Sequence, residues 1–464
     1  MYRQGLRAGG APASLWAREP WRSPRLPARC ASAVPLTELP RVVLKAGKAR
    51  LFSKGGHPLV YGGAVDRVVG RPTPKAGDAV VVADGADAPI AWGLFNPDSM
   101  FRVRIMQAMH EVGKPAGGAP VAEAHVSVER VLTARIAAAH QLRKTLQLPS
   151  AFTNVYRLIN SEGDRLSGLV VDILNDRLIV ASTAAWAERY REHLEHCLKE
   201  VTGLQHVVWR PNEALLQEEG LAYSRPSPDA PLAQASDQEA EQPVRICEGG
   251  LHFLAQPMGQ KTGFYADQRD SRALVRTLAA GKHVLDLYCF TGGFALNAAL
   301  GGAASVRGLD TSRPAIELAR QNADLNSRES SAPEFLVDDA AAFMRREVDA
   351  LATSSSKAQQ PDLIILDPPK LAPNRKTLNR ALHHYHRLNT LAMKLVAPGG
   401  LLMTCSCSGA VAQSNTFLPM LQEAATAAGR RITVLRMAGA SPDHTLDPNC
   451  PEGSYLTNVL LAVS

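Results

Sequence analysis

A chain of 464 residues is long enough for two or three domains, each burying a core of its own. Apolar residues make up 45% and charged residues 20%, a balance that excludes disorder throughout; no apolar run reaches the ~20 residues of a membrane-spanning helix, so no membrane partner is expected. The formal net charge of +7 suits a polyanionic partner such as nucleic acid.

Residues 1 to about 39 carry Arg3, Arg7, Arg18, Arg22, Arg25 and Arg29 against only Glu19 and Glu38, in a background of Ala, Ser and Pro. Such Arg-rich, acid-poor leaders read as organelle transit peptides, and the Pro-rich run through Pro35 leans towards chloroplast, with mitochondrion as the alternative. A disordered basic RNA-binding tail is the competing reading. Residues 41–110 read as short strands (41–44, 79–83, 90–94 and 100–105) broken by Gly and Pro turns, the pattern of a small β-barrel-like module. In its last strand Arg102 and Arg104 share one face by the period of two, opposite Phe101, Val103 and Ile105. That is the arrangement of an RNA-contacting strand, or of a merely solvated face.

Residues 111–124 form a Gly/Pro/Ala-rich connector. The block 125–265 reads as an α/β middle domain, with helices near 127–147 and 187–201 and strands at 169–173 and 178–180. Polar, Pro-rich residues 222–243 lack apolar periodicity and read as a disordered insertion, and 351–361 look similar. From 266 to 464 strands alternate with helices: 283–289, 305–310, 334–338, 362–367, 400–407, 431–435 and 455–463. Seven such strands fit an open, doubly wound, mostly parallel sheet covered on both faces.

In such sheets ligands bind beyond the carboxyl ends of the strands. The first strand runs into Asp286, Tyr288, Thr291, Gly292 and Gly293, where glycines admit close approach and a helix N-terminus follows. The second ends in Asp310, suited to ribose hydroxyls, and the third in Asp338 and Asp339, placed to meet an adenine amino group. A dinucleotide fold would prefer G-x-G-x-x-G after the first strand. An acid at that place instead suits a ligand bearing an ammonium group, which S-adenosylmethionine has and NAD lacks. The stretch 258–269, with Tyr265, Gln268 and Arg269, reads as a loop capping that cofactor, or as structural packing.

The fourth strand ends in Asp367-Pro368-Pro369-Lys370, a rigid loop offering carbonyls and a fixed carboxylate to an inserted base, with Asp367 and Lys370 as catalytic candidates. The fifth ends in Cys405-Ser406-Cys407. Cytosine C5 needs a thiolate adding at C6 before it takes a methyl group, and a strand-end cysteine suits that route. Periodicity does not choose between the two cysteines; Cys407 lies further out, nearer the pocket mouth. The seven cysteines are scattered, with no CxxC pair, so neither a disulfide scaffold nor a metal site is expected. His383, His384 and His386 do not match a metal-ligand spacing and read as surface or RNA-facing.

Together these residues resemble the bacterial large-subunit rRNA cytosine-C5 methyltransferase I family. The resemblance covers about residues 41–464 and rests on 42–47, Asn96–Ser99, Arg102–Arg104, Arg157–Asp164, Gly168–Asp172, Thr262–Arg269, the Asp286 loop, Asp367–Lys370, Ser406–Ser408 and Pro451–Tyr455. It implies a seven-stranded Rossmann-like methyltransferase domain behind a PUA domain for rRNA and an α/β middle domain. It further implies that Tyr265, Arg269, Asp286, Asp310 and Asp339 cradle S-adenosylmethionine and that Cys407 is the nucleophile. The basic leader, the insertion at 222–243 and Cys405 depart from the family pattern, and Lys370 stands where related enzymes carry a second cysteine. Methylation of a purine nitrogen without cysteine catalysis, or an inactive RNA-binding assembly factor, are the alternative readings. Oligomeric state is open, a homodimer included.

Overall fold

The computed structural model describes residues 33–54, 56–112, 125–221, 242–259, 263–326, 332–353, 359–372 and 375–464. The expected connector, the insertion at 222–243 and the core of the 351–361 segment fall largely outside the described residues, as does the leader up to residue 32. The end of that leader does not behave as expected. Val34–Pro35 pair with His125–Val126, and Leu36 is buried in the core of the middle domain, so these residues belong to the fold.

The first domain is a six-stranded sheet in the order Leu59–Tyr61, Phe101–Ala108, Pro89–Phe95, Ala79–Ala83, Arg41–Leu44, Val65–Val69. Leu59–Tyr61 and Val65–Val69 were not expected from the sequence. Alternation sends Val42, Leu44, Val80, Val82 and Val103 into the domain's own core, while Val81, Trp92, Leu94 and Met106 face the other way, into the core of the middle domain.

The middle domain is a four-stranded sheet in the order His206–Pro211, Arg177–Ser182, Leu169–Leu174, Val155–Asn160. One face is covered by the helices Val128–Thr145 and Arg191–Thr202, through Leu132, Ile136, Leu194 and Leu198. The Ser127 side chain caps the first helix by accepting from Arg130 N, and Gly203, at φ +77°, ends the second. The other face, with Val155, Leu174 and Ile179, packs on the hairpin Val244–Glu248/Leu251–Ala255 and on Leu296 of the C-terminal domain.

The C-terminal domain contains the seven strands β1 (His283–Leu287), β2 (Ser305–Asp310), β3 (Glu334–Val337), β4 (Leu363–Leu366), β5 (Gly400–Ser406), β6 (Ile432–Ala438) and β7 (Thr457–Val463). Their order is β3-β2-β1-β4-β5-β7-β6, parallel except for β7, which runs antiparallel between β5 and β6. The order reverses at β1, which lies between β2 and β4. In open α/β sheets the ligand crevice lies at such a switch point, here beyond the carboxyl ends of β1 and β4, where Asp286 and Asp367 stand.

Candidate active site

The chain leaves β1 by a tight turn in which Tyr288 (φ +64°), Phe290 (φ +49°) and Gly292 (φ +83°) adopt left-handed conformations, then enters the helix Gly293–Leu300. Glycine is required at 292: a Cβ there would sit 2.8 Å from Phe335 Cζ. Asp286 is fully buried beneath this turn. Its Oδ2 accepts from Ala295 N at 2.9 Å, while its Oδ1 is buried without a protein partner. Burial pushes the carboxyl well above its usual range, and the charges of Asp367 and Asp310 push the same way, against the Ala295 hydrogen bond. A buried carboxylate oxygen lacking a donor fits a ligand that brings an ammonium group.

The other expected cofactor residues gather around this turn. Asp310, at the end of β2, accepts from Phe290 N at 3.0 Å and from Ser312 N at 2.8 Å, so it braces the β1 loop and keeps one acceptor site on each oxygen. The Tyr288 phenol is pushed up to about 12 by burial and by Asp339 and Asp310, which places it among those acids. Asp339 is exposed and caps the following helix by accepting from Ala342 N at 2.7 Å. Thr291 is buried, its carbonyl accepting from Asn322 Nδ2. The Tyr265 ring meets Phe290 edge-on at 5.2 Å; its phenol is pushed up to about 12 by burial, with Asp267, Cys407, Asp367 and Asp310 adding to it. Arg269 is engaged elsewhere, in a two-bonded ion pair with Asp443.

Gln268 links the cofactor side to the reacting side. Its Oε1 accepts from Asn458 Nδ2 of β7 at 2.9 Å, and its Nε2 donates to Asp367 Oδ2 at 3.1 Å, which fixes that carboxylate. Beyond Asp367 the chain buries Pro368 and exposes Pro369 and Lys370; Ala372 N then donates to Ser408 Oγ at 3.1 Å, tying this loop to the end of β5. Cys407 stands between the two, half-buried, with Sγ 3.9 Å from the Pro368 carbonyl oxygen. Cys405 differs: it is fully buried, and burial pushes its thiol well up, away from the thiolate form. Ser406 Oγ donates to the Tyr385 hydroxyl at 3.0 Å, which also lies 3.5 Å from Ser408 Oγ, so one phenol steadies both neighbours of Cys407.

Tyr385 belongs to the helix Leu378–Leu395, whose outer side carries a further feature. Between Asp367 and Glu423 the chain holds six Lys or Arg residues and no acid. Lys376, Arg380, His383, Arg387 and Lys394 are all exposed, spaced by 4, 3, 4 and 7 residues, and so form one stripe. Among the described residues none of the five is ion-paired. This acid-free run was the sequence signal for the surface; attention to histidine spacing alone missed it.

The expectation for the basic strand is corrected. Arg104 is buried, donating to Glu219 at 2.8 Å and to Ser167 Oγ at 2.6 Å, because its face of the strand lies against the middle domain rather than water. Arg102 remains partly exposed and donates to the Ser99 carbonyl at 3.0 Å. Asp443 was missed altogether. It accepts from Arg157 N and pairs with Arg269, while its carbonyl accepts from Arg143, so it joins the middle domain to the C-terminal domain. Burial opposes its charge, yet His444 and Arg269 hold it below the usual carboxylate range.

Comparison with known proteins agrees with this geometry. The S-adenosylmethionine-dependent methyltransferase family matches residues 166–452, and a PUA-like domain matches residues 42–108. The ribosomal RNA large subunit methyltransferase I of Pseudoalteromonas atlantica is 32% identical over 424 residues, covering 91% of this chain and 99% of its own length. That of Erwinia tasmaniensis is 33% identical over 417 residues, covering 90% and 97%. Among solved structures, the methyltransferase SMU.776 complexed with SAH aligns with a TM-score of 0.70 at 18% identity, over 91% of this chain and 99% of its own. A methyltransferase from Streptococcus mutans aligns with a TM-score of 0.68 at 17% identity, over the same shares. These two show the shared fold over nearly the whole of each matched chain. The chain belongs to the ribosomal RNA large subunit methyltransferase I family, S-adenosylmethionine-dependent enzymes with an N-terminal PUA-like domain.

Proposed function

We propose that the chain methylates C5 of a cytosine in large-subunit ribosomal RNA, with Cys407 as covalent nucleophile, and that it works in an organelle, chloroplast ahead of mitochondrion. The names of the relatives support the ribosomal substrate, and the acid-free basic stripe supports an RNA partner. The observation that carries the cytosine reading is the contrast between the two cysteines: Cys405 is sealed in the sheet, whereas Cys407 is half-exposed between the Asp367 loop and the Tyr265 side of the crevice.

In this reading Asp286 takes the ammonium of S-adenosylmethionine, Asp310 and Asp339 take its ribose and adenine, and Tyr265 walls the pocket. Bound there, S-adenosylmethionine supplies an electrophilic methyl group. The Cys407 thiolate adds to C6 of the cytosine, and the electron pair moves to C5, which becomes nucleophilic. After methylation the C5 proton leaves to a base, a role Asp367 can fill, and the returning electron pair expels the thiolate. The Pro368–Pro369 segment keeps the loop rigid, so the base meets a preformed edge. Lys370, exposed on the same loop, brings a positive charge towards the RNA backbone.

The test is mass spectrometry of rRNA fragments and protein after incubation of wild type, Cys405→Ala and Cys407→Ala with labelled S-adenosylmethionine. 5-Methylcytosine is expected with wild type and Cys405→Ala and absent with Cys407→Ala. Methylation that survives Cys407→Ala would instead indicate a nitrogen target. Import of the full chain into isolated chloroplasts, and not mitochondria, checks the location.

A further inference from the structure

Outside the crevice, three side chains of different chemistry meet where the PUA-like domain touches the loop before β7. His57 precedes the strand Leu59–Tyr61, and Cys450 and Glu452 flank Pro451. Their ligand atoms all lie within 4.8 Å of one another, with His57 Nε2 3.8 Å and Cys450 Sγ 3.5 Å from Glu452 Oε2. Tetrahedral zinc, with bonds of about 2.0–2.3 Å, sets its ligand atoms roughly 3.3–3.7 Å apart; both contacts to Glu452 lie near that range, and His57 and Cys450 would close on a bound ion from within 4.8 Å.

Two further features point to a cation. The first is the imidazole's orientation. The His57 ring is held edge-on by Phe52 at 6.4 Å and against Tyr61 at 5.6 Å, and its Nδ1 lies 3.1 Å from the Leu59 carbonyl oxygen. Donation from Nδ1 to a backbone carbonyl, with Nε2 left as a ligand, is the arrangement metal-bound histidines use. Leu59 N, at 3.2 Å from Nδ1, serves the opposite tautomer, so cation binding would select between the two.

The second is charge. Glu162, Glu452 and Asp447 surround Cys450, and among the described residues none of these acids is paired with a lysine or arginine. A divalent cation would reverse that balance and take the thiolate as a ligand. Cys450 is buried and Glu452 half-exposed, which leaves the open side for a water as fourth ligand.

We infer that His57, Cys450 and Glu452 form a site for a divalent transition cation, zinc by its donor set, that clamps the PUA-like domain to the catalytic domain. The sequence could not suggest it, since its ligands come from opposite ends of the chain and form no CxxC or HxxxH spacing.

The experiment titrates chelator-treated full-length protein with Co²⁺ and then Zn²⁺. One equivalent of cobalt is expected to produce a thiolate-to-cobalt charge-transfer band with visible d–d bands, and zinc to bleach them. Cys450→Ser abolishes the charge-transfer band, and His57→Gln and Glu452→Gln each weaken zinc at least tenfold in chelator competition. Cys247→Ser, a half-exposed thiol elsewhere, leaves the band unchanged. Zinc raises the melting temperature of wild type and not of Cys450→Ser, while unchanged S-adenosylmethionine affinity in each variant reports an intact fold. Absence of the band, or its survival in Cys450→Ser, overturns the inference and leaves the cluster as an interdomain hydrogen-bonded contact. None of these readouts depends on which nucleotide is methylated.

Discussion

Replacing Asp286 with Asn separates ligand binding from fold stability, because the two should move in opposite directions. The variant keeps the acceptor for Ala295 N but removes the negative charge from a fully buried position whose second oxygen has no protein partner. Losing one partner of a desolvated charge pair costs about 2–5 kcal/mol, so S-adenosylmethionine affinity should fall about 30- to several-thousand-fold. The free protein should not suffer. Burial raises the Asp286 carboxyl in the folded state, so the stability tied to this group is fully present below the unfolded carboxylate value and is lost as pH rises through the raised native value. Asn does not titrate, so the ligand-free variant should melt no lower than wild type at neutral and higher pH. Affinity should run the other way: in wild type it rises as pH climbs through the raised value and the carboxylate ionises, while in the variant it stays flat. Isothermal titration with S-adenosylmethionine across pH, paired with thermal melts of the free proteins, measures both. An affinity within twofold of wild type, or identical pH profiles, would refute the assignment of Asp286 to the ammonium.

Asp443→Asn should cost about 3 kcal/mol by leaving the largely buried Arg269 with only the more distant Asp270 as counter-charge, a drop in melting temperature of roughly 10 °C. Asp443 is held below the usual carboxylate range, so its contribution is present above the unfolded carboxylate value and disappears as pH falls through the depressed native value. The gap between wild type and variant should therefore close in strong acid, as melts at descending pH would show. Neutralising Lys376, Arg380 and Arg387 together to Gln should weaken RNA binding at least tenfold at low salt. It should also reduce the slope of log affinity against log salt by about 2, with S-adenosylmethionine binding unchanged; an unaltered slope would place the RNA elsewhere.

Elements set by local pattern were legible in the sequence. All seven catalytic strands were found: the central β1, β4 and β5 read as apolar runs because they are parallel or buried on both faces, and the edge strands and antiparallel β7 still stand out by their β-branched and apolar residues. Asp286, Asp310 and Asp367 could be placed because each lies at the end of one. The hairpin Val244–Glu248/Leu251–Ala255 was missed although its signal was present: Gly249 and Gly250 both adopt positive φ in a two-residue turn between strands. Val155–Asn160 and His206–Pro211 are short and carry polar residues within them, so period and propensity conflict. Arg104 shows a different limit. Alternation assigns a side chain to a face but says nothing about what covers that face, and here the cover is the middle domain. The Arg269–Asp443 pair and the Arg143 bond to the Asp443 carbonyl join segments far apart in the chain, and no window reading relates them.

The antiparallel position of β7 has a consequence for how the enzyme is made. Of the seven strands it is the last to leave the ribosome, yet it lies between β5 and β6. Until it arrives, the strand leading to Cys407 has a bare edge, and β6 has none of its final pairing, with Val434, Leu435 and Met437 open to solvent even in the finished fold. Nascent chains stalled before β7 should therefore aggregate or recruit chaperones, and methyl transfer should switch on as the final hydrogen-bond ladder closes.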